Sequence, residues 1–231
     1  MLGSYLLVSA ETGETLAVMD AARLTAWRTA AASALASRYL SRPDATRLLM
    51  VGAGALAPQL ILAHASVRSI REIALWNRSP GRARALMARL CEQGLNVSLA
   101  ADLEAAVRRA DIVSVATIST DPLIQGAWLK AGSHMDGVGA FRANMRETDD
   151  ALVRRARIYV DTRAGAYAEA GDIVKPLNAG VIGKEPIVGD LFDLARGTVG
   201  GRKTAEEITF FKSVGAAIED LAAAIAVYQK A

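Results

Sequence analysis

Apolar and polar positions along this chain fall into two periods. Between residues 48 and 160, short apolar runs alternate with stretches whose apolar residues recur every three or four positions. The runs at 48–51, 72–76, 97–99, 112–116, 133–138 and 158–160 have the length and content of buried strands. The stretches between them, up to about 66 and at 80–91 and 103–109, read as helices. Strands separated by helices predict a parallel sheet with right-handed crossovers, so the fold class is α/β and doubly wound. Ahead of this region, residues 1–17 read as strand, turn, strand, with Glu11-Thr12-Gly13-Glu14 as the turn. An alanine-rich helix without Gly or Pro then spans 20–40, and Ser41-Arg42-Pro43-Asp44 ends it. After the alternating region come a strand near 207–211 and a helix over 214–229. No internal repeat and no low-complexity linker interrupts the chain.

The first buried strand runs directly into Gly52-Ala53-Gly54-Ala55-Leu56-Ala57, a G-x-G-x-x-A string that opens a helix. That context is what a dinucleotide phosphate loop needs. Gly52 permits the tight turn, Gly54 lets the backbone approach a pyrophosphate, and Ala57 is small enough for close helix–strand packing. Gly52, Gly54, Ala55 and Leu56 are therefore expected at the cofactor, where the helix N-terminus offers free N–H groups and partial positive charge.

The second strand selects among nicotinamide cofactors. NAD sites place an acid there to accept from the ribose 2′-hydroxyl. Here the strand ends in Trp76-Asn77-Arg78-Ser79, and no acid lies between Glu72 and Glu92. A carboxylate would repel a 2′-phosphate, whereas Asn77, Arg78, Ser79 and Arg82 offer hydrogen bonds and forked guanidinium donors. NADP(H) is expected over NAD(H). Arg84 and Arg89 are read as a solvated helix face.

Composition narrows the remaining classes. Of 231 residues, 52% are apolar and 22% charged, enough to build a core and to exclude disorder. A net charge of +3 with interspersed signs, and 5% aromatics, argue against a nucleic-acid surface. The lone cysteine, Cys91, excludes an internal disulfide and fits a reducing cytoplasm; at a helix end it reads as a buried thiol. Apolar runs fall well short of the roughly 20 residues of a membrane span. His64 and His134 have no clustered partners, which disfavours zinc and a hydrolase triad. Glu147, Asp149 and Asp150 read as helix capping; Glu169 and Asp172 read as turn chemistry or as organisers of an active-site wall.

Several motifs in order resemble one family. They are the stretch from Leu24 to Ala31, Val51-Gly52-Ala53-Gly54, Trp76-Asn77-Arg78, Ala110-Asp111-Ile112-Val113, Gly137-Val138-Gly139-Ala140-Phe141, Glu169-Ala170-Gly171-Asp172 and Phe211-Lys212-Ser213-Val214-Gly215. Together they resemble the ornithine cyclodeaminase/mu-crystallin family, and within it the Δ1-pyrroline-2-carboxylate reductases, which are ketimine reductases. The resemblance implies a Rossmann-type NADP-binding domain at 43–204 and a partial, discontinuous dimerisation and substrate domain at 1–42 and 205–231, hence a homodimer. It implies that Arg28 clamps the substrate carboxylate, although by itself Arg28 reads as an exposed arginine on a long helix. It further implies cofactor contacts at Thr29 and Ser213, while Thr117, Val138 and Ala140 follow strand ends where sheet ligands bind. The implied substrate is a cyclic imino acid. Phe141 stands where family cyclodeaminases carry an aspartate, which favours reduction of Δ1-pyrroline-2-carboxylate or its six-membered homologue Δ1-piperideine-2-carboxylate. Ornithine cyclisation with loss of ammonia, and NADPH binding with little catalysis, are the alternatives. Family members also carry a further N-terminal segment bearing a catalytic lysine. No lysine precedes Lys130 here, and Lys130, Lys175 and Lys212 read as surface or loop residues. A chain truly lacking that segment is expected to bind NADPH but to turn over poorly.

Overall fold

A computed structural model describes residues 3–231; of the hairpin expected over 1–17, Met1 and Leu2 lie outside the described residues. The rest of that hairpin forms from β1 (Ser4–Val8) and β2 (Thr15–Asp20), antiparallel with Ser4 opposite Asp20. Asp20 then caps α1 (Ala21–Leu40), its carboxylate accepting from the backbone N–H groups of Ala22 and Arg23.

The alternating region folds as its pattern predicts. It runs β3 (Arg47–Val51), α2 (Ala57–Val67), β4 (Glu72–Trp76), α3 (Pro80–Glu92), β5 (Val97–Leu99), α4 (Leu103–Arg109), β6 (Ile112–Val115) and β7 (His134–Gly137). There follow α5 (Asp150–Arg155), β8 (Arg157–Val160), α6 (Arg163–Glu169), α7 (Gly171–Asn178), β9 (Ile187–Asp190), α8 (Leu191–Arg196), β10 (Thr209–Lys212) and α9 (Ala217–Tyr228). Eight strands form one parallel sheet in the order β5-β4-β3-β6-β7-β10-β8-β9.

Alternation along each strand divides the core. Leu48, Met50, Ile73, Leu75 and Ile112 pack beneath Leu60, Ile61, Leu86 and Leu90 of α2 and α3. Leu49, Val51, Val113, Val115 and Met135 face the other way, with Val107, Leu152 and Ile173. Helices thus cover both faces, as a doubly wound sheet requires. The order reverses between β3 and β6, which opens a crevice at their carboxyl ends.

The strand expected near 207–211 forms as β10, an interior strand of the sheet with Phe210 opposite both Met135 and Ile158. Only α9 leaves the sheet; Ala223 and Ala224 pack with Leu24 of α1 and with Tyr5, Leu7, Ala17 and Met19 of the hairpin. The short elements α6, α7, α8 and β9 had no sequence expectation. Cys91 is exposed, not buried, because it sits on the outer side of the last turn of α3. No helix among the described residues is long and apolar enough to cross a membrane.

Candidate functional site

The loop from β3 to α2 explains both of its glycines, for different reasons. Gly52 has φ +112°, and a Cβ there would lie 2.5 Å from the Ala116 carbonyl oxygen, so the fold itself demands glycine. Its N–H donates to the Trp76 carbonyl at 2.8 Å. A Cβ at Gly54 would meet nothing within 4 Å. Space is therefore held open beside a backbone whose N–H groups at Gly54, Ala55 and Leu56 have no partner among the described residues. Leu56 precedes α2 without a capping side chain, Pro58 occupies the first turn, and no acid lies there. This set of donors fits a diphosphate. Ala57 is fully buried, as close helix–strand packing requires.

The β4–α3 turn lies beside this cradle. Asn77 joins the two, since Oδ1 accepts from the Ala53 N–H at 3.2 Å and Nδ2 donates to the Ser79 carbonyl at 2.9 Å. Ser79 precedes α3 with its hydroxyl free of any capping bond, and the first turn of α3 contains no acid. Arg78 and Arg82 are exposed and form no ion pair among the described residues. Arg84 and Arg89 are exposed further along the helix.

At the next strand ends, one buried carboxylate ties the loop after β6 to the loop after β7. Glu147 Oε1 accepts from the Thr117 N–H at 2.6 Å and from its hydroxyl at 2.7 Å. Oε2 accepts from the N–H groups of Gly139 at 2.8 Å and Ala140 at 3.1 Å. Burial pushes Glu147 up to about 7; Lys212 opposes this, Asp172 adds to it, and the Thr117 hydroxyl opposes it. Asp172 Oδ1 accepts from the N–H groups of Glu147 and Thr148 and from the Thr148 hydroxyl. Lys212 is fully buried, donates to the Gly137 carbonyl at 3.0 Å and lies 3.8 Å from Asp172. Three sequence readings are corrected here. Glu147 is not a helix cap, although Asp149 is one, accepting from the Leu152 N–H. Asp172 is not turn chemistry, and Lys212 is not a surface lysine, because β10 is interior. Lys175 remains at the surface, and Lys130 pairs with Asp111 at 2.7 Å. Val138 and Ala140 are buried beside this network.

On the opposite face Asp136 fastens α1 and α2 to β7. It accepts from Ser33 at 2.9 Å, Ser114 at 2.7 Å and His64 Nε2 at 3.0 Å. Burial acts to raise Asp136, but the hydrogen bond and charge of His64, with His134 and Ser114, hold it below the ordinary carboxylate value. His134 is itself pushed down to about 3 by burial. Neither histidine faces the strand-end loops. Sequence reasoning missed the Asp136 anchor; its partners come from three separate elements, α1, α2 and β6.

Arg28 reaches from α1 to the segment after β10. Its Nε donates to Asp220 at 3.0 Å and its Nη1 to Glu219 at 2.9 Å. A Cβ on Gly215, whose φ is +93°, would lie 2.6 Å from Nη1, so the guanidinium lies against bare backbone. Asp161, just past β8, accepts from the Ser213 hydroxyl and from the N–H groups of Val214 and Gly215. Arg28 is thus nearly buried and paired, not exposed, and its two acids were not anticipated. Thr29, the next residue on α1, is buried.

The sequence-selected residues therefore gather along the carboxyl ends of the strands. Gly52, Gly54, Ala55, Leu56, Asn77, Arg78, Ser79 and Arg82 form one rim, Thr117 and Ala140 share the Glu147 anchor with Val138 two residues before Ala140, and Ser213 and Arg28 meet around Gly215. A cavity of about 270 Å³ lies elsewhere, between α4 and the β3–β5 face, lined by Leu49, Ala74, Leu99 and Ala105.

Comparison with known proteins places this geometry. The model of the ornithine cyclodeaminase/mu-crystallin family matches residues 2–231. The chain is 42% identical over 222 residues to the Δ1-pyrroline-2-carboxylate reductase of Paracoccus denitrificans, covering 95% of this chain and 70% of that protein. It is 38% identical over 227 residues to the ketimine reductase mu-crystallin of Rattus norvegicus, covering 97% and 68%. The solved Δ1-pyrroline-2-carboxylate reductase of Thermococcus litoralis, in complex with NADH and L-proline, superposes with a TM-score of 0.96 at 35% identity, over 99% of this chain and 71% of that one. By sequence along its whole described length and by fold, the chain belongs to the ornithine cyclodeaminase/mu-crystallin family.

Proposed function

We propose that the protein transfers a hydride from NADPH to C2 of a cyclic ketimine carboxylate, giving a cyclic L-amino acid. The substrate class is Δ1-pyrroline-2-carboxylate, which gives L-proline, with Δ1-piperideine-2-carboxylate, which gives L-pipecolate, as the six-membered counterpart. One observation carries the reading: a cradle of free N–H groups and a guanidinium lie along the same edge of one parallel sheet. The activities named for the bacterial and rat relatives support it.

The cofactor, when bound, supplies the hydride; the chain's own groups bind and orient. The Gly54–Leu56 N–H groups and the N-terminus of α2 take the diphosphate. Arg78, Arg82 and the Ser79 hydroxyl are free to hold a 2′-phosphate, and the lack of any acid there removes the usual partner of an unmodified ribose. Thr117 and Ala140, fixed by Glu147, form the floor for the nicotinamide together with Val138. Arg28 takes the substrate carboxylate and so sets which face of C2 is presented at about 3–3.5 Å. Phe141 is half-exposed after β7, with the Arg142 guanidinium 5.7 Å from its ring centre. It offers a flat apolar wall to a ring and cannot take a proton from a second amino group. A homodimer follows from the same reading: Leu6, Val8 and Val18 on the hairpin and Ile218, Ile225 and Val227 on α9 are exposed apolar residues that a second copy would cover.

Fluorescence of bound NADPH tests the reading. Steady loss of NADPH on adding the cyclic imine is expected. Quenching without consumption would indicate a binding protein, and ammonia released from ornithine without NADPH oxidation by the imine would replace the reductase by a cyclodeaminase.

A further inference from the structure

Arg28 faces more negative charge than it can balance. Glu219 and Asp220 both contact the guanidinium, and Asp161 lies close enough to repel Glu219. With both contacting acids ionised, Arg28, Glu219 and Asp220 together carry one net negative charge before any ligand arrives. A substrate carboxylate approaching Arg28 would raise that to two, in a site where the guanidinium is only 13% exposed and water screens little. Yet Nη2 of Arg28 makes no hydrogen bond among the described residues, so one donor remains for a ligand. The geometry offers a guanidinium with a free donor and an excess acid beside it.

We propose that Glu219 takes up a proton when a carboxylate ligand docks on Arg28, so that binding the anionic substrate and neutralising this one acid are a single coupled event. The proposal rests on Arg28 being the carboxylate clamp. Glu219 is the more buried of the two partners, at 13% against 26% exposure for Asp220. Burial pushes it up to about 7, Asp161 adds to the rise, and Arg28 opposes it. The charged groups facing it are Arg28 from α1, Asp161 from the end of β8 and Asp220 on its own helix. The hairpin meets α9 through Tyr5, Leu7, Ala17 and Met19 and brings no charge there. Glu219 is a positioning residue: it acts through Arg28, holding the guanidinium while the site is empty and yielding its charge when a second carboxylate arrives.

Calorimetric titration of pyrrole-2-carboxylate, a planar analogue, into the full chain with saturating NADPH tests this. The titration runs from pH 6.5 to 8.5 in phosphate and in Tris, whose ionisation enthalpies differ, so that proton uptake is read directly. Affinity is expected to weaken by roughly tenfold per pH unit above 7, with uptake approaching one proton per ligand. Glu219→Gln should bind with the wild-type affinity of pH 6.5 at every pH and take up no proton. Glu147, which also titrates near 7, is present in both proteins, so uptake retained in Glu219→Gln would overturn the proposal. Zero uptake in the wild type would overturn it without any variant. NADPH binding with no analogue binding at any pH would overturn the Arg28 reading itself, and this inference with it.

Discussion

The sheet's carboxyl edge holds two anion-facing places, and they are built in opposite ways. At the start of α2 the donors are backbone N–H groups with no internal partner, beside a Gly54 whose missing Cβ leaves space. At the start of α9 the donor is a guanidinium already engaged by two carboxylates. The first place is ready for any diphosphate and needs no change of charge. The second is already paired with excess acid and opens to an anion only when one of its own acids is displaced or neutralised. Backbone geometry thus gives an unconditional site, whereas a side-chain cluster gives a conditional one.

Four substitutions sharpen or break this comparison. The largest effect is expected of Gly52→Ala, where a positive φ and a clash with the Ala116 carbonyl coincide; folding stability should fall by about 3 kcal/mol or more in urea unfolding. Arg28→Ala comes next. It leaves Glu219 and Asp220 facing each other and should cost about 2 kcal/mol, discounted for the partial exposure of Asp220. The loss should shrink on acidification, since Glu219 protonates near 7. Arg78→Ala touches nothing in the fold, so stability should stay within about 0.5 kcal/mol while NADPH affinity falls more than about tenfold and NADH affinity is spared. Equal loss for both cofactors would remove the 2′-phosphate role. Gly54→Ala is the smallest: no change in unfolding midpoint, and about a tenfold weakening for both cofactors alike. Should Gly54→Ala destabilise the fold instead, the open space beside it would be structural.

The same contrast governs what could be read from the sequence. The cradle was legible because its parts are local: Gly52 and Gly54 lie two residues apart, directly after a buried strand. The strands β3 to β8 were legible as apolar runs. The place of β10 was not, since nothing in Thr209–Lys212 states that it will slot between β7 and β8, and Lys212 was misjudged for that reason. Glu147 looked like a cap because a glutamate before Asp149 has that local meaning; its real partners are Thr117, in the loop after β6, and Gly139 and Ala140, at the far end of its own loop. The short α6, α7 and α8 carry too few turns to show a period, and Pro176 inside α7 argues against a helix there. Arg28 came forward only through family resemblance, for its acid partners lie 191 and 192 positions away.

The cradle carries the rest of the account, and binding of the intact dinucleotide tests it most directly. Calorimetric titration of the folded chain with NADPH and with NADH should show saturable binding at one site per chain, tighter for NADPH, with the difference removed by Arg78→Ala. A well-folded sample that takes up neither dinucleotide would contradict the account at its foundation.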